Sequence, residues 1–178
     1  KFFTQIMFKA VTGESFILSE HHEKIIDLLE GIADGSIIRG IINMPPRHSK
    51  TEIAIKMFSA WGYALNPKCN FMHLSYSDTL VTTNSLSIQS IMNCELYREL
   101  FPYVRISESK SLEGKKQTQK LWYTNGGGVF YASPFLGQIT GFGAGSFVRT
   151  KQFSGALLID DPLKASEAQS DLLRNKCN

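Results

Sequence analysis

IINMPPRHSKTE, residues 41–52, is the stretch on which the fold turns. It passes from an apolar run through two prolines into a basic, hydroxyl-bearing turn. After it, Lys50 to Leu65 places Ile53, Ala54, Met57, Phe58 and Trp61 at helical spacing and stops at Asn66-Pro67. Before it, Ile37 to Met44 is rich in isoleucine and reads as a buried strand. Strand, loop and helix in that order form the frame in which backbone N–H groups and a helix N-terminus cradle phosphate oxygens. In such a frame Lys50 reaches the outer phosphates and Thr51 offers its hydroxyl to Mg²⁺. The pattern GxxxxGK[ST] asks for glycine at 44 and 49, where this chain has Met44 and Ser49. Glycine before the lysine gives the loop a positive φ, which serine adopts at modest cost. An ordinary basic turn is the plain alternative.

GALLIDDP, residues 155–162, is the complementary pattern. A short apolar strand over 156–159 ends in adjacent carboxylates. In a nucleoside-triphosphatase the first carboxylate, Asp160, holds the metal and the second, Asp161, orients or deprotonates the attacking water. Two solvated aspartates at a strand end are the alternative. The two motifs together, each at the end of a strand and separated by enough chain for the intervening strands, argue for a P-loop NTPase more strongly than either does alone.

The rest of the chain reads as alternating helices and strands. A helix over 19–34 is capped by Ser19 and stopped by Gly35, with Ile25, Leu28, Leu29 and Ile32 on its apolar face. Cys69 to Tyr76 reads as a buried strand. Asp78 to Asn93 reads as a helix capped by Asp78, with a shorter helix over Leu96 to Phe101. Residues 105–120 are polar and basic and read as an exposed excursion. LWYTNGGGVFYAS, residues 121–133, reads as a β-hairpin turning at Asn125 to Gly128. FLGQITGFGAG, residues 135–145, is a glycine-rich loop suited to a switch near the γ-phosphate, with plain turn geometry as the alternative. From Ala165 the chain reads as helical. The expected architecture is an α/β P-loop NTPase domain, with a mainly parallel central sheet flanked by helices and a β-hairpin excursion. Its ligands sit beyond the carboxyl ends of the strands.

Composition sets bounds. The 178 residues suit one domain with a core of its own. The 20% of charged residues and 43% of hydrophobic ones exclude collagen-like and strongly disordered classes. No apolar run has the ~18–20 residues of a transmembrane helix, and no secretory signal opens the chain. Beginning at Lys1 suggests a fragment or a processed chain. The net charge of +3 permits contact with nucleic acid without requiring it. Cys69, Cys94 and Cys177 lack zinc spacing and read as free thiols.

INMPPRHSKTE, the Tyr76-Ser77-Asp78 region, GQITGFGAG and LLIDDPLKASEAQSD together resemble the ATPase half of the large terminase subunit of tailed bacteriophages, over residues 15–176. The resemblance implies an ASCE/RecA-like fold and a Mg²⁺-dependent ATPase motor that drives double-stranded DNA into a procapsid. It acts with a portal protein and a small terminase subunit, as a homo-oligomeric ring, in the cytoplasm of a bacterial host and away from membranes. Residues 1–178 would be one ATPase domain ending soon after the DDP segment, with the C-terminal nuclease domain absent and no DNA cutting expected. Pro46, Arg47, His48, Ser49, Lys50 and Thr51 would line the phosphates, and Arg47 would sense or stabilise the γ-phosphate. Thr51 and Asp160 would hold Mg²⁺, and Asp161 would replace the more usual catalytic glutamate. His22 lies where the family's adenine-contacting segment falls. Ser49 departs from the glycine of many relatives. A helicase-like ATPase is a second reading, although no DExx motif is present. A non-catalytic nucleotide- or partner-binding remnant of a prophage terminase is a third.

Other features have plainer readings. His21 and His22 point to different sides of a helix start. His73 reads as a satisfied core histidine. Lys110, Lys115, Lys116 and Lys120 form a basic patch that either meets a phosphate backbone or is simply solvated. Trp61, Trp122 and Tyr123 read as core packing. Arg149 is a candidate for an arginine acting between subunits, with a surface role as the alternative.

Overall fold

The computed structural model describes residues 1–108, 111–112, 115–137, 141–145 and 152–162. Two helices open the chain, α1 (Phe2–Thr12) and α2 (Glu20–Asp34). Ser19 begins α2 in a capping box. Its hydroxyl faces the third helical residue, and His22 Nδ1 accepts the Ser19 N–H at 3.2 Å. Gly35 ends α2 at φ 83°, as a left-handed C-cap. The helix after the basic loop starts at Lys50, passes through a π-helical stretch, Glu52–Met57, and continues as α3 (Phe58–Leu65). Then come β1 (Asn70–Ser75), α4 (Asp78–Asn93) and α5 (Glu95–Leu100). A two-rung hairpin, β2 (Ser111–Leu112) and β3 (Lys115–Lys116), stands apart from the main sheet. The strands β4 (Leu121–Tyr123), β5 (Val129–Pro134) and β6 (Leu157–Asp160) follow.

The main sheet is open and mixed, in the order β4-β5-β1-β6. β1 pairs in parallel with both β5 and β6, and β4–β5 is the antiparallel hairpin expected from its turn. Apolar alternation sets the faces. Phe71 packs edge-on against Tyr63 and Phe58, and His73 on the same face meets Asn84 of α4. Helices therefore cover that face. On the other face Tyr131 stacks on Phe142 at 4.0 Å. Trp122 stacks on Phe130 at 5.0 Å and donates to Ser85, so it is a core residue, as its setting suggested.

One expected strand is not formed. Ile37 to Met44 joins no strand ladder among the described residues, and Ile38 and Ile41 are 86% and 94% exposed. Neither edge of the sheet takes it up: β4 lies at one and β6 at the other. An apolar run needs a ladder partner before it becomes a strand, and this one has only Ile42 and Met44 turned toward the core. The basic loop therefore follows a segment outside the sheet. The N-terminal helix α1 was not read from the sequence, although Phe3 packs on Tyr97 and Phe101 and Met7 is fully buried. The helix expected from Ala165 lies outside the described residues.

Candidate active site

The loop before the Lys50 helix has an unusual backbone. Arg47 and Ser49 sit at φ 64° and 57°, and Asp161, after β6, sits at φ 44°. Such left-handed positions cost a non-glycine residue ~1–2 kcal/mol. They turn successive N–H groups of the loop in directions an extended chain does not allow. Ser49 thus adopts the conformation that glycine serves in the sequence pattern. Pro46 and His48 close the loop on itself: His48 Nδ1 meets the Pro46 carbonyl at 2.8 Å, and since a carbonyl only accepts, Nδ1 carries the proton.

Four side chains from two distant stretches meet at the end of β6. Lys50 Nζ lies 2.8 Å from Asp161 Oδ1 and 3.6 Å from Asp160 Oδ1. Thr51 Oγ1 donates to Asp160 Oδ2 at 2.6 Å. The hydrogen bond to Asp161, reinforced by Asp160, raises the Lys50 pKa against the opposing effect of burial, so the ammonium is held charged. Asp160 is 8% exposed, whereas the Asp161 side chain stays 61% exposed and open to a reactant. The backbone of Asp161 is anchored as well, its carbonyl accepting the Tyr76 N–H at 3.1 Å. Asp160 is the register partner of Ser75, so the carboxylates lie beyond the carboxyl ends of two parallel strands.

Beside these residues opens a cleft of about 980 Å³, walled by the segment around Ile38 and Ile41 on one side and by Leu157 and Ile159 on the other. Lys50, Asp160 and Asp161 lie along it. The donor set suits a hard cation. Thr51 and Asp160 offer hydroxyl and carboxylate oxygens already in contact, as Mg²⁺ prefers. Among the described residues no group of three His, Cys, Asp or Glu side chains is placed to hold a metal. The pair therefore fits an ion that takes its remaining oxygens from phosphate and water, and does not fit a metal held by protein alone.

The other anticipated residues fall at different distances from this centre. Arg47 lies in the loop, exposed and without an ion pair among the described residues. His22 is buried at the start of α2, where Phe16 and His21 pack on it, and burial lowers its pKa. It serves the helix cap. Both histidines reach the loop: a backbone hydrogen bond with His48 opposes the effect of burial on His22, and the His21 ring lies 5.6 Å from that of His48. The glycine-rich loop starts at the carboxylate end of the sheet, where the Phe135 N–H donates to the Ser75 carbonyl, and its Gly145 N–H donates to the Asn70 carbonyl at the other end of β1; residues 138–140 between them lie outside the described residues. Lys120 is engaged with Asp78 at 2.7 Å. The side chains of Lys110 and Lys115, and Arg149 entirely, lie outside what is described. Sequence reasoning missed His21 as a histidine facing the loop; only its helical offset from His22 pointed that way.

No family model matches the chain, and neither the curated proteins nor the solved structures include a match. No helix among the described residues is long and apolar enough to cross a membrane.

Proposed function

We propose that this chain is the ATP-hydrolysing motor domain of a viral DNA-packaging terminase large subunit, built as a P-loop NTPase. The observation that carries the reading is the meeting of Lys50 and Thr51 with Asp160 and Asp161 across 109 to 111 positions of sequence. The left-handed Ser49 directly before Lys50 supports it. The Lys50 ammonium offers a fixed positive charge to the β- and γ-phosphates. The loop amides of Arg47 to Lys50 take phosphate oxygens. Thr51 and Asp160 would hold Mg²⁺, which supplies neutralisation of charge on the transferring phosphoryl group. Asp161, exposed beside Lys50, accepts a proton from water aligned for in-line attack. Arg47 would sense or stabilise the γ-phosphate. Double-stranded DNA, a portal protein, a small terminase subunit and copies of this chain in a ring are the partners this reading brings, in the cytoplasm of a bacterial host.

Mg²⁺-ATP binding to the chain, followed by phosphate release with and without duplex DNA, tests the reading. Lys50→Ala should weaken nucleotide binding at least about tenfold, the loss of a charge-assisted contact of ~1.5–3 kcal/mol. Asp161→Asn should keep binding and lose turnover. Normal hydrolysis by Asp161→Asn would remove Asp161 from the mechanism. A second reading, a nucleotide-binding module without turnover, draws on the 2.8 Å bridge by which Lys50 occupies the carboxylate that would serve as base. Binding with no phosphate release at any DNA concentration would favour it.

A further inference from the structure

His73 is fully buried at the centre of β1, and nothing in the proposed chemistry uses it. Its ring joins three elements. Nδ1 lies 3.3 Å from the Leu158 carbonyl of β6, and Nε2 lies 3.1 Å from Asn84 Nδ2 of α4. The two contacts determine one another. A carbonyl only accepts, so the proton is on Nδ1. Nε2 then presents a bare lone pair, and the Asn84 amide, itself 6% exposed, donates to it. The imidazole is therefore neutral, with both nitrogens satisfied.

The place of this relay gives it meaning. His73 and Leu158 are register partners, as are Ser75 and Asp160, so the ring sits two register positions from the carboxylate on the same face of the sheet. Fixing the Leu158 carbonyl fixes the strand end on which Asp160 rides, and Thr51 Oγ1 donates to Asp160 at 2.6 Å. A lysine or arginine at this point would also bind the carbonyl, but its charge would compete for the carboxylate. A neutral ring orients the strand and leaves the charge of Asp160 to a cation.

We propose that His73 is a positioning residue for Asp160, locking β6 to α4 through Leu158 and Asn84 so that the carboxylate is presented to a phosphate-bound divalent cation. This rests on the nucleotide-site reading above. Partners that hydrogen-bond a ligand directly are worth roughly 10–100-fold in metal affinity, and His73, acting through the Leu158 carbonyl, belongs at the lower end of that range.

The test compares the intact chain with His73→Phe and His73→Gln. Mn²⁺ is titrated by electron paramagnetic resonance in the presence of a non-hydrolysable ATP analogue, and analogue binding is measured separately in EDTA. His73→Phe fills the same space without either hydrogen bond, and it should weaken Mn²⁺ uptake about tenfold with metal-free analogue binding unchanged. His73→Gln restores a donor for Leu158 and an acceptor for Asn84, and it should recover most of the affinity. Mn²⁺ uptake by a folded His73→Phe equal to that of the parent overturns the proposal alone. No uptake by the parent overturns the nucleotide reading and the proposal with it. If His73→Phe does not fold, Asn84→Ala carries the comparison: it leaves Nε2 unpaired, and unchanged Mn²⁺ uptake there overturns the proposal equally.

Discussion

Ser49 holds φ at 57° with a β-carbon that glycine would not carry. The strain sits one residue before Lys50, where it turns the loop into the helix. Ser49→Gly should therefore raise stability by ~1 kcal/mol, the left-handed cost less the extra entropy that glycine loses on folding. Chemical denaturation would show it as a higher midpoint at constant slope. A lower midpoint would mean that the serine side chain contributes more than its backbone costs. Lys50, Thr51, Asp160 and Asp161 were legible as site residues because their chemistry is tied to motif positions. Their mutual contacts were not. Nothing in the spacing says that Lys50 bonds to Asp161 at 2.8 Å and stands farther from Asp160, at 3.6 Å. Nor does spacing reveal that His22 caps its helix while it and His21 both meet His48 of the loop.

At the scale of elements, local signals worked where the element closes on itself. Gly35 stops α2, the turn at Asn125 to Gly128 folds β4 onto β5, and Asn66 ends α3. They failed where pairing is supplied from elsewhere. Ile37 to Met44 has the composition of a central strand, yet strand identity depends on a neighbour, and β6 ends the sheet without reaching it. The glycine-rich loop shows the same limit: flexibility is written in its composition, but the contacts that seat it, Phe135 on Ser75 and Gly145 on Asn70, are tertiary facts. Gly62 of α3 shows how tightly helix and sheet are fitted. A β-carbon there would lie 2.5 Å from Phe71 Cζ and 2.9 Å from Phe153. Alanine favours a helix over glycine by ~1 kcal/mol. Even so, Gly62→Ala should destabilise the protein by ~1–3 kcal/mol, the cost of overpacking a closed core. A stabilised Gly62→Ala in the same denaturation assay would mean that Phe71 and Phe153 give way freely.

For the molecule as a whole, the buried polar relay through His73 ties stability to acidity. Burial lowers the His73 pKa below its usual 6.5, with the Leu158 carbonyl and the charge of Asp160 opposing and losing to that effect. In the unfolded chain the ring protonates normally as pH falls through about 6.5. In the folded chain it stays neutral further down. Below about pH 6.5 the unfolded state therefore binds more protons, and stability falls with decreasing pH until the folded pKa is passed. Above that range both states carry a neutral ring and the contribution is flat. The slope from this one residue is at most ~1.4 kcal/mol per pH unit. His73→Phe removes the titration, so its unfolding free energy should vary less steeply between pH 6.5 and 5.5 than that of the parent chain, even if it is lower throughout. Parallel curves for the two proteins over that interval would show that the ring protonates without cost and that the fold opens around it. A flatter curve for the variant would show instead that the folded chain keeps the His73 ring neutral at a pH where the unfolded chain protonates it.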